Sequence, residues 1–153
     1  TVISRDSRLD ELQAAILRVK RLYVGAWNRA RRQHAQTYRR LIDEAGLEGV
    51  VPPQEAPECR SVFHLYVVRI PARDVVEARL REWGIGVKIH YPLALPQEPA
   101  LAFLGMRPGQ YPIAERAARE ILSLPMYPEL TDEQLARVVQ ELAQAVGAMT
   151  KSS

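Results

Sequence analysis

The sequence contains little cysteine and no long apolar run. Cys59 is the one cysteine among 153 residues, so an internal disulfide and a CxxC zinc motif are both excluded. An isolated thiol is typical of a reducing compartment. No segment approaches the ~20 apolar residues of a membrane span, and no charged head with an apolar stretch opens the chain. We expect a cytoplasmic protein with no membrane association.

Glycine and proline are also too few for a fibrous or low-complexity chain. The sequence has 8 Gly and 11 Pro, with 47% hydrophobic and 25% charged residues. This composition is that of an ordinary globular domain, and the length is enough to bury a core without metal or disulfide. The chain begins with Thr1 rather than Met, which favours a fragment or a processed product.

The positive charge is concentrated near the start of the chain. Residues 1–44 contain ten Lys/Arg and five Asp/Glu, whereas the remaining residues contain eleven and thirteen. Such asymmetry raises the hypothesis of a nucleic-acid partner. No aromatic ladder, zinc-finger spacing or RNP-like stretch accompanies the arginines. We therefore interpret them as a solvated helix face and expect no nucleic-acid partner.

Residues 9–44 are predicted to form one long helical region. Ser7 is a suitable N-cap, Glu11 lies in the first turn, and Gly25 allows a bend in the middle. Gly46 ends the region. Apolar residues three or four positions apart form one stripe: Leu9, Leu12, Ile16, Val19, Tyr23, Trp27 and Ala30. Because a helix this long must lie against a large surface, we expect another polypeptide to cover part of the stripe.

The rest of the chain is predicted to alternate between strands and helices. The predicted strands are 61–70, 87–90 and 121–124, and the predicted helices are 72–83, 113–120 and 131–148. Residues 93–112 contain four prolines and read as a loop with one helical turn near 100–104. The last helix opens with a capping box at Thr131 and Gln134. The fold class is thus α+β, with a small, mainly antiparallel sheet and helices on one side.

We divide this single domain into a long helix over 1–46 and an α/β subdomain over 60–148. The three histidines then differ in their predicted settings. His34 follows the apolar stripe and is expected at the surface, whereas His64 is expected to pack on a strand face. His90 ends a strand before Tyr91 and a proline-rich loop, a position that presents side chains to a cleft.

The remaining residues indicate no recognisable catalytic machinery. Lys88 either faces solvent or borders the His90 cleft, and a Schiff-base role for it is not favoured. The serines lack a nucleophile-elbow context, no glycine-rich phosphate loop occurs, and no metal site is predicted. The residues alone therefore predict an α+β domain with a cleft near His90 and Tyr91.

Four strings, in order, resemble the DegT/DnrJ/StrS family of fold-type-I, pyridoxal-phosphate-dependent sugar aminotransferases. Residues 7–17 (SRLDELQAAIL) resemble the start of the family's interdomain helix, and residues 89–92 (IHYP) resemble its IHYP string. Residues 111–115 (YPIAE) and 122–128 (LSLPMYP) resemble its FPxAE and LSLPMYP strings. The resemblance covers nearly the whole chain and implies the small C-terminal domain of such an enzyme.

The resemblance implies a domain that lines an active-site cleft and a dimer interface. The family aminates nucleotide-linked keto-sugars with pyridoxal phosphate. Its Schiff-base Lys and its pyridine-pairing Asp lie in a large domain that this chain lacks, so the chain is not expected to transaminate or to bind the cofactor alone. The implied partner is a second copy of the chain or a companion large-domain chain, and the nucleotide sugar is expected only in the assembled enzyme.

The resemblance also implies site residues. Asp6 stands where the family has an Asn that reaches the partner's cofactor phosphate, and its charge repels phosphate. Arg8 matches the family and is either a phosphate contact or an ion-pair partner at the helix start. His90 and Tyr91 are the implied substrate contacts. Later family positions are altered, with Pro96 in place of His and Glu98 in place of Gln.

An alternative function is a stand-alone module that kept the fold and lost the chemistry. The apolar stripe of the long helix would then need a new cover, and exposed apolar patches of that size mark interfaces. This hypothesis predicts a homodimer or a protein-binding module without catalytic activity.

Overall fold

The predicted long helix is divided into two helices in the computed structural model, which describes the backbone of residues 10–150 and the side chains of residues 10–148. Helix α1 spans Glu11–Arg21 and helix α2 spans Val24–Glu44. The break lies at Leu22 and Tyr23, before Gly25. The amides of these two residues donate to carbonyl oxygens three residues back, and these bonds tighten the turn and end α1.

The N-cap of α1 also differs from the prediction. The Asp10 side chain accepts the amide N–H of Gln13 at 2.8 Å, so Asp10 caps this helix. Ser7, the predicted cap, lies outside the described residues. Glu11 is in the first turn, as expected.

The central sheet is small and antiparallel. Strand β1, Tyr66–Arg69, pairs with strand β2, Ile121–Leu124, so that Tyr66 lies opposite Leu124 and Arg69 opposite Ile121. Isolated bridges join Val51 to Arg69 and Lys88 to Ser123. The predicted strand 87–90 is therefore reduced to a single bridge at the sheet edge.

The predicted strand 61–70 is also shorter than expected. Phe63 has a positive φ of 46°, which interrupts extended backbone, and its amide donates to the Ser61 hydroxyl at 3.1 Å. The Ser61 amide in turn donates to the Glu55 carboxylate. These local bonds replace the ladder bonds that a longer strand would make.

The other predicted helices are confirmed. Helix α3 spans Arg73–Glu82, helix α4 spans Pro112–Glu120 and helix α5 spans Asp132–Thr150. Short 3₁₀ helices, Leu95–Gln97 and Pro99–Leu104, interrupt the proline-rich loop. The capping box is present, since the Thr131 amide donates to Gln134 Oε1 at 3.0 Å and the Gln134 amide to Thr131 Oγ1 at 3.3 Å.

One apolar core joins the sheet to α2, α3 and α5. The alternate strand residues that face this core are fully or almost fully buried: Tyr66, Val68, Leu122 and Leu124. The helices contribute Tyr38, Leu80 and Leu142, among others. This arrangement confirms the α+β class with a small antiparallel sheet. Within the described residues, no helix is both long and apolar enough to cross a membrane.

Candidate functional site

A cavity of about 490 Å³ opens where the edge bridge of the sheet meets the start of α5. His90 lies in its wall, so the structure places one of the two predicted substrate contacts at a cleft. The cavity is lined by Leu65, Gly84, Ile85, Gly86, Lys88, His90, Ser123, Leu124, Pro125, Met126, Tyr127, Leu130, Gln134, Arg137 and Val138.

Strand pairing brings His90 to Ser123. Lys88 and Ser123 exchange both backbone hydrogen bonds, at 3.2 and 2.7 Å, and are therefore directly opposite each other. His90 follows two residues after Lys88, which makes it the diagonal neighbour of Ser123 on the same face. His90 Nδ1 lies 2.9 Å from Ser123 Oγ. The sheet register thus places His90 Nδ1 within hydrogen-bond distance of the Ser123 hydroxyl.

Tyr91 lies beside the cavity rather than in its wall. Its side chain is 70% exposed, and its ring meets the His90 ring edge-on, with centroids 5.7 Å apart and an interplanar angle of 87°. The peptide bond between the two residues is cis. Of the two residues, His90 is half-buried and faces the cleft, while Tyr91 extends into solvent next to it.

Helix α2 holds the segment that forms another wall of the cavity. Tyr38 Oη donates to the carbonyl oxygen of Pro125 at 2.9 Å, and burial raises the pKa of Tyr38 well above its usual range. His34 Nε2 lies 3.1 Å from the carbonyl oxygen of Pro128. The expectation that His34 is an ordinary surface residue was therefore wrong, because it is half-buried and bound to this segment.

His64 also departs from its prediction. We expected it to pack on a strand face with Val62 and Tyr66, but it precedes β1 and is exposed. The positive φ at Phe63 breaks the alternation that the prediction assumed. His64 therefore makes no contribution to the cavity.

The cavity carries positive rather than negative groups. Lys88 and Arg137 line it, and Arg137 also donates to the carbonyl oxygen of Trp83 at 3.1 Å. None of the lining residues is Asp or Glu within the described part of the chain. With His90, Ser123 and Gln134 as further polar groups, the lining suits a ligand with anionic or hydrogen-bond-accepting oxygens.

A second cavity of about 600 Å³ lies between α2 and residues 53–63 but has balanced charge. Two of its three arginines are paired along the helix, Arg39 with Asp43 at 3.5 Å and Arg40 with Glu44 at 2.9 Å, and the third, Arg32, donates to the Ser61 carbonyl oxygen. Because its lining contains three arginines and three carboxylates, we favour the His90 cavity, whose lining is positively charged, as the functional site. No cluster of three or more potential metal ligands occurs among residues 10–148.

Sequence reasoning missed Ser123, Gln134 and Arg137 as cavity residues. Ser123 was assigned only to a strand, and Gln134 only to a helix cap. Lys88 was expected either to face solvent or to border the His90 cleft, because it alternates with Val87 and Ile89 along the segment. Nothing local shows that Ser123 pairs with Lys88, because 35 residues separate the two positions.

The sequence of the chain matches one known protein family. The model of the DegT/DnrJ/EryC1/StrS aminotransferase family matches residues 1–143. The chain belongs to this family. The same family was expected from the four strings, and the mixed fold agrees with it.

Relatives in the family are much longer than this chain. It is 49% identical over 143 residues to a pleiotropic regulatory protein of Geobacillus stearothermophilus, covering 94% of this chain and 38% of that protein. It is 40% identical over 134 residues to the dTDP-3-amino-3,4,6-trideoxy-alpha-D-glucose transaminase of Streptomyces venezuelae, covering 88% and 35%. The chain thus spans less than two-fifths of these relatives.

A solved structure shows the same relationship. The S. venezuelae protein DesV, in complex with a ketimine intermediate, superposes on this chain with a TM-score of 0.84 and 38% identity. The match covers 90% of this chain and 36% of DesV. The fold described above is therefore that of about one-third of DesV.

The described residues do not fit a complete site for pyridoxal phosphate, the cofactor of the family. Such a site needs a lysine with a lowered pKa for the Schiff base and a partner for the pyridine nitrogen. Lys88 is the one lysine in the cavity wall, but it is exposed, and the wall has no carboxylate among the described residues. Arg8 and Asp6, the predicted cofactor contacts, lie outside the described residues.

Proposed function

We propose that this chain is the C-terminal small-domain part of a pyridoxal-phosphate-dependent nucleotide-sugar aminotransferase and forms one wall of its substrate cleft. The observation that carries the proposal is the position of His90, in the family-like IHYP string, at a cavity without acidic lining residues among those described. Membership of the aminotransferase family supports the reaction class.

The charge of the cavity supports a nucleotide sugar as ligand. Such a molecule carries a diphosphate and several sugar oxygens, and the relative from S. venezuelae is named as a transaminase of a dTDP-linked sugar. Lys88 and Arg137 provide positive charge, while His90 and Gln134 offer hydrogen bonds. We assign substrate contact to His90 and Tyr91, and contact with the cofactor phosphate to Arg8. Asp6 occupies the sequence position of the family's phosphate-contacting Asn.

Catalysis is assigned to the assembled enzyme and not to this chain alone. Lys88 is exposed rather than enclosed as a Schiff-base lysine would be, and the family's lysine string is absent from the sequence. The missing lysine and aspartate would come from a large domain on a companion chain or elsewhere in the assembly. We accordingly propose that this chain by itself does not hold pyridoxal phosphate.

Helix α1 supports an assembly of more than one chain or domain. None of its residues is buried, and its apolar stripe is open, with Leu12 72% and Val19 60% exposed. A second copy of the chain or a large-domain chain would cover this surface. The comparisons favour part of an enzyme over the stand-alone binding module, since the named transaminases match nearly the whole chain.

A chimera tests the proposed cleft role. This chain would replace the matching part of S. venezuelae DesV, and the formation of amino-sugar product from the dTDP-keto-sugar would be followed by mass spectrometry. We expect an active chimera in which His90→Ala raises the KM for the sugar about tenfold, the effect of losing one hydrogen bond worth about 1.4 kcal/mol. His64→Ala is the matched control, because His64 is exposed and outside the cavity.

Two results would contradict the proposal. One is a folded chimera with bound cofactor that forms no product, and the other is an active chimera whose KM is the same with and without His90. Native mass spectrometry of the 153-residue chain with added pyridoxal phosphate tests the remaining part. A covalent cofactor adduct on this chain alone would show that it needs no companion lysine.

A further inference from the structure

Ser123 is a buried serine whose hydroxyl has one partner. Its residue exposure is 4%, and His90 Nδ1 at 2.9 Å is the only hydrogen-bonding group near Ser123 Oγ within the described residues. Its backbone N–H and C=O are both occupied by Lys88 across the sheet edge. The side chain is therefore held in place by the bridge and is left to interact with His90.

The direction of this hydrogen bond follows from the needs of the hydroxyl. A serine hydroxyl carries one donor, and a buried donor without an acceptor is costly. If His90 donated from Nδ1, the Ser123 hydrogen would have no acceptor among the described residues. If Ser123 donates, both groups are satisfied. The neutral imidazole then accepts at Nδ1 and carries its hydrogen on Nε2.

We propose that Ser123 is a positioning residue that holds His90 in the Nε2–H tautomer and so presents a hydrogen-bond donor to the cleft. Nε2 has no hydrogen-bond partner in the part of the chain that the structure describes, and the ring borders the cavity. The inference rests on the proposed function in its last step, where this donor meets an oxygen of the bound sugar nucleotide.

The chemical class of the contacted group follows from the tautomer. An Nε2–H group binds an acceptor oxygen, such as a sugar hydroxyl oxygen, a keto oxygen or a phosphate oxygen. It discriminates against a ligand that presents an N–H donor at the same point, since two donors cannot pair. In the other tautomer, a bare Nε2 would have the opposite preference.

The test is nuclear magnetic resonance of the 153-residue chain with ¹⁵N-labelled histidine. At a pH where the imidazoles are neutral, we expect His90 Nδ1 at the frequency of an unprotonated nitrogen and Nε2 at that of a protonated one. His90→Asn assigns the signals against those of His34 and His64. In Ser123→Ala, the two nitrogens should move toward averaged frequencies because both tautomers become populated, and Ser123→Thr should restore the wild-type pattern by returning a hydroxyl.

Two outcomes would overturn the inference. The first is a wild-type chain in which Nδ1 carries the hydrogen, and this result requires no variant to fold. The second is a folded Ser123→Ala variant whose nitrogen frequencies equal those of the wild type. Either would show that Ser123 does not set the state of His90.

The active DesV chimera supplies a second readout. Ser123→Ala should raise the KM for the sugar about fivefold with little change in kcat, and Ser123→Thr should return it toward the wild-type value. Combining Ser123→Ala with His90→Ala should be no worse than His90→Ala alone, because Ser123 acts through His90. Additive effects would contradict that relationship. An inactive chimera would instead contradict the proposed function, and the tautomer measurement would still decide the role of Ser123.

Discussion

Tyr38 and Tyr66 pack against each other in the core, with ring centroids 4.9 Å apart, but only one of their hydroxyls is satisfied. Tyr38 Oη donates to the Pro125 carbonyl oxygen at 2.9 Å, which joins α2 to the wall of the cavity. Tyr66 Oη is buried and has no hydrogen-bond partner among the described residues. Two neighbouring tyrosines thus contribute to the fold in different ways.

Removing the two hydroxyls should have unequal effects on stability. Tyr38→Phe leaves the Pro125 carbonyl oxygen without its partner, so we expect the free energy of unfolding to fall by about 1–2 kcal/mol. Tyr66→Phe removes a buried hydroxyl that has no partner, and we expect a change within about 0.5 kcal/mol. Urea denaturation at pH 7 measures both variants, and a larger loss in Tyr66→Phe would contradict this account.

The same pair predicts a loss of stability at alkaline pH. Burial raises the pKa of Tyr66 to about 12, and the pKa of Tyr38 is raised further by the same cause. In this range the unfolded tyrosines lose protons near pH 10, whereas the folded ones keep them. The two tyrosines therefore make their full contribution to the free energy of unfolding below pH 10. This contribution falls as the pH rises toward 12.

Tyr66→Phe isolates one part of this pH dependence. The variant lacks one titrating group, so its free energy of unfolding should fall less steeply than that of the wild type between pH 10 and pH 12. We expect the two slopes to differ by about 1 kcal/mol per pH unit. Urea denaturation of both proteins across this range gives the two slopes, and all other ionisable groups are shared. Equal slopes would mean that the Tyr66 pKa is not raised in the folded protein.

Local signals predicted the helices well. The capping box at Thr131 and the proline at the start of α4 depend on neighbouring residues, so their effects are present in the sequence itself. The break after Arg21 was placed too late, at Gly25. It arises from a tightened turn at Leu22 and Tyr23, for which no glycine or proline gives a signal.

Long-range pairing accounts for what could not be predicted about the sheet and the site. Residues 61–65 have strand-like composition but are held in irregular backbone by Ser61 and Glu55. His90 was identified from its position before a proline-rich loop. Its partner Ser123 depends on strand register, which a single sequence does not specify when 33 residues separate the two.

Glu115 is expected to organise the loop that precedes α4. Its carboxylate is almost fully buried and accepts the amide N–H of Gly109 at 2.8 Å and that of Tyr111 at 3.2 Å. Glu115→Ala removes both acceptors, and we expect it to lower the free energy of unfolding by about 2–3 kcal/mol. Glu115→Gln keeps one neutral oxygen and should cost about half as much.

Hydrogen exchange gives a direct readout of this loop. The amides of Gly109 and Tyr111 should exchange faster in Glu115→Ala than in the wild type. Glu129→Gln is the matched control, because Glu129 is exposed and the substitution removes the same negative charge. Unchanged exchange at both amides would show that the loop is held by other contacts.

The open face of α1 gives a prediction about association. Leu12, Val19 and Leu22 are 72%, 60% and 74% exposed, although all are apolar. Covering such a face removes apolar surface from water, which stabilises association by roughly 25 cal/mol for each Å² buried. In the absence of a large-domain chain, we expect two copies of this chain to cover each other and form a homodimer in sedimentation velocity experiments.

Charges introduced on the apolar stripe of α1 separate this association from folding. Leu12→Glu combined with Val19→Glu should shift the chain to monomers, because both charges would have to be buried in the interface. The free energy of unfolding measured at low protein concentration should stay the same, since neither side chain contributes to the core. Arg18→Glu is the control at an exposed position outside the stripe and should leave the dimer intact. A wild-type chain that remains monomeric at the highest concentrations would show that this stripe requires a different partner, and a large-domain chain would then be the surface to test against it.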